Sequence, residues 1–134
     1  LVGVLQIVAL VGCQRGTQFT PPTDSSMLRG ITRVYAIATR DLGRPPKSMD
    51  ELKAVYAQAD PDPSKYVRSA RDGEEFVVAW GLNLQSLPAD TVLAYERKGV
   101  DGKRMVVTLN GEVREVPEGE FATLKFPKGH KPGG

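Results

Sequence analysis

"KRMVVTLNGEVREV", residues 103–116, holds two β-forming runs around one Asn-Gly pair. Residues 103–109 and 112–116 have the composition of strands. Asn-Gly between two such runs is the strongest short signal for a β-hairpin. The stretch therefore predicts two antiparallel strands joined at Asn110-Gly111. Upstream, "TVLAYER" (91–97) reads as another strand, joined to the hairpin through the turn dipeptide Asp101-Gly102. Before it, "EEFVVAWGL" (74–82) is a continuous apolar run of β-formers, opened by the turn dipeptide Asp72-Gly73. Such a run predicts a strand near 75–81 that is buried on both faces. Its alternation sets Phe76, Val78 and Trp80 on one face and Val77, Ala79 and Gly81 on the other. Trp80 is expected against a helix, near Ile31, Val34 or Tyr35; the alternative is a surface platform on which a sugar stacks.

The first half changes period. Met27, Leu28, Ile31, Val34, Tyr35, Ala38 and Leu42 recur at three- and four-residue steps, which makes one apolar stripe of a helix. Asp24 or Ser25 is positioned to cap it, Gly43 to end it, and Pro45-Pro46 to forbid continuation. Ser48-Met49-Asp50-Glu51 is a capping-box pattern for a second helix that buries Leu52, Val55 and Tyr56. It ends before "DPDPSK" (60–65), a proline-broken loop. "PEGEFATL" (117–124) predicts a last helical turn before the tail "KFPKGHKPGG". The order predicts an α+β domain of two layers. Two N-terminal helices pack on an antiparallel meander of about four strands.

At 134 residues the chain suits one domain. Its 18 basic and 16 acidic residues leave a net charge of +2, too balanced to advertise a nucleic-acid surface. All of that charge lies beyond Cys13. Residues 1–12, LVGVLQIVALVG, are apolar apart from Gln6. Spanning a bilayer takes about 20 apolar residues, and a run of about 10–14 is more often the core of a signal peptide. Pro21-Pro22 would break a helix running on from a membrane.

Leu10-Val11-Gly12-Cys13 resembles a bacterial lipobox: two aliphatic residues, a small one, then Cys. The resemblance implies a diacylglycerol thioether on Cys13, removal of the residues before it, and a membrane anchor. A cysteine thiolate is the nucleophile that such chemistry needs. The alternatives are an ordinary core cysteine in a buried strand and a remnant transmembrane helix. The lipobox reading divides the chain into a signal-peptide remnant (1–12), a lipidated Cys with a flexible tether (13–24), a globular domain (25–124) and a disordered tail (125–134).

Residues 28–116 also resemble the globular head of type II secretion pseudopilins. "VYAIATRDLGRPPKSMDEL" (34–52) carries the likeness: a Tyr-bearing helix end, a Gly-x-Pro-Pro turn and a capped second helix, followed by the antiparallel sheet. That resemblance implies an accessory subunit of a secretion or pilus machine. In this chain a lipobox stands where pseudopilins carry a processing motif and a Glu near the start of a long membrane helix.

His130 is the single histidine and is expected to be solvated in the tail. With Cys13 acylated, no Ser-His-Asp, Cys-His or His-based metal set remains. Asp60 and Asp62 alternate as Ca²⁺ ligands do, but the Gly and the downstream Glu of such loops are missing and prolines interleave. Glu74-Glu75 and Glu118/Glu120 read as exposed carboxylates rather than a paired acid and base. No phosphate-cradling glycine motif occurs. Lys125, Lys128 and Lys131 read as solvated tail charges, with anionic lipid or cell-wall polymer as the alternative contact. The expectation is an envelope lipoprotein facing the periplasm or cell exterior. It is a non-catalytic binding or structural module, with no cofactor, no metal and no nucleic-acid partner. Its partners are the membrane, through the anchor, and other envelope or secretion proteins.

Overall fold

A computed structural model describes residues 23–132; Cys13, with the lipobox and most of the tether expected there, lies outside the described residues. The chain is α+β. Helix α1 (Asp24–Leu42) and helix α2 (Met49–Tyr56) precede a 3₁₀ turn (Pro63–Tyr66). The strands β1 (Val77–Val78), β2 (Val92–Tyr95), β3 (Lys103–Thr108) and β4 (Val113–Pro117) follow, then a short helix α3 (Glu118–Phe121). The strands form one antiparallel sheet in the order β1-β2-β3-β4, the meander that the turn dipeptides predict.

Helix α1 buries Met27, Leu28, Ile31, Val34, Tyr35 and Ala38, the predicted stripe, while Leu42 at its end stays exposed. It ends as expected: Gly43 adopts φ +71° and donates to the Thr39 carbonyl at 3.0 Å. The start differs. Thr23 is the cap, exchanging hydrogen bonds with Ser26 in a capping box. Asp24 is thereby free to turn inward. At α2, Ser48 is the N-cap but makes no side-chain cap bond. Glu51 reaches past it to the Lys47 N–H at 2.7 Å and to the Arg44 guanidinium at 2.6 Å. Arg44 is the main cause that holds the Glu51 carboxyl down at about 2. Helix α1 lies across β2, β3 and β4, whereas α2 packs chiefly against α1 and the 3₁₀ turn.

The sheet is covered on both faces. One face meets α1 through Leu28, Tyr35, Val78, Leu93, Ala94 and Val107. The other packs Val92, Tyr95, Val106 and Val116 against Phe121, Leu124 and Phe126. The two-layer expectation is thus corrected to a third, thin layer built by α3 and the segment after it. The same contacts correct the boundary at 124: Val92 donates to the Lys125 carbonyl at 2.8 Å, and Phe126 lies edge-on to Tyr95.

Two faces need residues on both sides of β2, and a bulge arranges them. Val92 pairs with Thr108 and Ala94 with Val107, so Leu93 is an extra residue. A bulge puts two consecutive side chains on one face. Leu93 and Ala94 accordingly face α1, while Val92 and Tyr95 face away. Strand β1 is shorter than predicted and is the sheet's end strand. Phe76 and Val78 do face α1 and Val77 faces away. Ala79 breaks the alternation by turning to the α1 side too. Trp80 is half-buried and stacks on Tyr35 with centroids 6.1 Å apart, so it sits at the expected helix but not in the deep core.

Asp101-Gly102 forms its turn with both residues at positive φ (+53° and +75°), as a type I′ hairpin demands. Asn110-Gly111 does not. Val107 pairs with Val113, and Thr108 N–H donates to the Glu112 carbonyl at 3.0 Å. The loop is therefore Leu109-Asn110-Gly111, with only Gly111 at positive φ (+83°). The Asn110 side chain accepts from the Glu112 N–H at 3.2 Å, which favours this three-residue turn with a glycine bulge.

Candidate functional site

The loop Ser69–Glu75 joins the foot of α1 to the sheet. The Ser69 hydroxyl accepts from the N–H groups of Arg71 (3.0 Å) and Asp72 (3.1 Å), and Gly73 closes the turn at φ +75°. The Asp72 carboxylate accepts from Lys98 and Gly99 N–H, both at 2.9 Å, which pins the loop to the β2–β3 connection. Asp24, on the first turn of α1, accepts from the Ala70 N–H at 2.7 Å and from the Ser69 hydroxyl. It is 3% exposed.

Beside it lies Glu96, which follows β2 and is fully buried. Its Oε1 accepts from the Met105 N–H at 2.8 Å. Arg71 places Nε 2.9 Å from Glu96 Oε2, without hydrogen-bond alignment, and Nη1 2.6 Å from Glu115 Oε2. Burial pushes the Glu96 carboxyl up, and a hydrogen bond with Asp24 adds to the rise; the backbone bond from Met105 and the Arg71 charge oppose both. The result is about 8. Glu96 Oε2 has no hydrogen-bond donor aligned to it. With its side chain fully buried, Glu96 is closed to a substrate in this conformation.

The sequence-derived candidates are spread apart. Asp60 accepts from Lys65 (2.8 Å), Tyr66 and the Asp62 N–H, which hold its carboxyl well below the usual range. Its oxygens are taken by donors, and Asp62 does not share the arrangement. Glu75 pairs with Lys53 at 3.2 Å and Glu74 with Lys98 at 3.7 Å. Glu118 pairs with Arg104 and Glu120 with Arg114. Each of these four carboxylates has its own basic partner. Among the described residues, no group of three or more His, Cys, Asp or Glu gathers as a metal site. No helix there is long and apolar enough to cross a membrane.

His130 departs from its solvated expectation. It is half-buried, its Nε2 lies 2.9 Å from the Tyr95 hydroxyl, and its ring lies against Phe126. Burial lowers its pKa. Sequence reasoning missed the Asp24–Glu96 pair. The signal was Glu96 itself, an acid closing an otherwise apolar strand. Compared with known proteins, the chain matches no family model, and no curated protein or solved structure gave a significant match.

Proposed function

We propose that the chain is a lipid-anchored module of the bacterial cell envelope, held to a membrane through acylated Cys13 and working by binding or by structure rather than by catalysis. One observation supports this reading: the start of α1 is held in place by side-chain hydrogen bonds. Thr23 caps α1 and Asp24 ties it to Ser69 and Ala70. Cys13 therefore lies a short, proline-bearing step upstream of a rigid body. At roughly 3.3–3.6 Å per residue, the chain from Cys13 to Thr23 reaches at most ~35 Å. A domain so placed stays close to the surface that holds it, and two or more acyl chains anchor it stably. In the mature chain α1 and α2 are then the two N-terminal helices.

Replacing Cys13 tests this. In a bacterium that acylates lipoproteins, the parent partitions into the detergent phase and Cys13→Ser into the aqueous phase. A parent that already partitions into the aqueous phase contradicts the reading.

The order of α1, the Gly43–Pro46 turn, α2 and an antiparallel meander supports a second reading, an accessory pseudopilin-like subunit of a secretion or pilus system. A native chain processed upstream of Cys13, with its thiol free, favours that alternative.

A further inference from the structure

The segment after α3 is clamped to the sheet and ends in a turn that carries Lys128. Phe126 packs against Tyr95 and Phe121, Pro127 is buried, and His130 meets the Tyr95 hydroxyl. Between them the chain turns. His130 N–H donates to the Pro127 carbonyl at 3.0 Å, and Gly129 takes φ +89°, as the third position of a type II turn requires. Lys128 stands exposed at the corner, with no ion-pair or hydrogen-bond partner among the described residues. Opposite this turn is Trp80. Trp80 and Leu82 on one side, and Lys128, Gly129 and His130 on the other, line a cleft of about 300 Å³.

We propose that this cleft binds one sugar ring bearing a carboxylate, the ring stacked on Trp80 and the carboxylate held by Lys128. The proposal deepens the binding-module reading and rests on it, but not on acylation of Cys13. Size comes first: about 300 Å³ is the low end for ligand pockets and suits a single ring. Shape comes next. An indole offers a broad, flat, polarisable face that matches the C–H face of a pyranose. This indole is backed by Tyr35 at an interplanar angle of 14°. Tyr35 is itself fixed by hydrogen bonds to the Ala79 carbonyl (2.9 Å) and from the Leu82 N–H (3.1 Å). A preorganised platform loses little freedom on binding. Charge decides the class. Among the described residues, Lys128 is the one cation on the cleft wall, a compact point charge. His130 is committed to Tyr95, and burial favours its neutral form. One positive charge balances a monoanionic carboxylate, whereas a dianionic phosphate calls for a second cation or a bidentate Arg.

Trp80 is the only tryptophan, so its emission reports on the cleft. The full chain and its Cys13→Ser form are titrated with galacturonate, trigalacturonate, galactose and trigalactose. The expected result is a saturable change in emission with the galacturonates, in both forms, and at least tenfold weaker binding of the neutral sugars. Trimer binding tighter than monomer identifies a polymer unit as the source, and equal binding a free acid sugar. Lys128→Ala should weaken binding at least tenfold with an unchanged melting temperature, and Lys131→Ala should not. No saturable change, equal binding of neutral sugars, or full affinity in Lys128→Ala overturns the proposal. The Cys13→Ser arm keeps this result separate from the anchor.

Discussion

Glu96, at the end of β2, and Asp24, at the start of α1, are neighbouring acids that are both buried, 0% and 3% exposed. Burial, with Asp24 beside it, raises the Glu96 carboxyl from the ordinary 4.5 to about 8. Between those values the native state binds more protons than the unfolded chain, so stability falls as pH rises. The contribution is full below about 4.5 and is lost as pH rises through about 8. His130, lowered by burial, slopes the other way, so the informative quantity is the difference between two proteins. Urea midpoints of the parent minus those of Glu96→Gln should fall from pH 5 to pH 9. A difference that is flat with pH contradicts the raised Glu96 carboxyl.

Asp24→Ala strands the buried Ser69 hydroxyl and the part-buried Ala70 N–H. Each stranded buried donor costs about 1–3 kcal/mol. A chain beginning at Ser25 loses the same bonds together with the Thr23 cap. Residues 23–132 should melt cooperatively alone, and residues 25–124 should melt far lower or not cooperatively. Equal melting of the two spans refutes the lock at the helix start.

Tyr35→Phe removes one hydroxyl and leaves the Leu82 N–H and the Ala79 carbonyl unpaired in the core. A loss of about 1–3 kcal/mol is expected in denaturant melts. Trp80 emission should also shift, because its backing ring loosens. A variant as stable as the parent shows that those two groups find other partners.

Gly99 and Gly111 share positive φ, +75° and +83°, but not their surroundings. A Cβ at Gly99 would stand 2.2 Å from the Lys103 carbonyl oxygen, while one at Gly111 meets nothing within 4 Å. Gly111→Ala should therefore lose only the conformational strain, about 1–2 kcal/mol. Gly99→Ala should lose clearly more, because backbone must move. Equal losses by thermal melts contradict the close approach.

Local signals were readable where local chemistry alone decides. Gly43 ends α1 and Asp101-Gly102 turns β2 into β3 because positive φ is a property of those residues. Asn110-Gly111 marked the β3–β4 hairpin, whose loop is one residue longer because the Asn110 side chain accepts from Glu112. The bulge at Leu93 was not legible, because it is set by pairing with β3 and not by the residue in the bulge. Lys125 to His130 looked like a free tail because its Phe126 and His130 contacts depend on Tyr95, far away in sequence. Asp24 and Glu96 were each visible, and only the fold brings them together.

The mass of the native chain's first peptide tests the central claim most directly. The account predicts a chain that begins at Cys13 and carries a diacylglycerol on its thiol. A native chain that begins upstream of Cys13, or an unmodified Cys13, contradicts it.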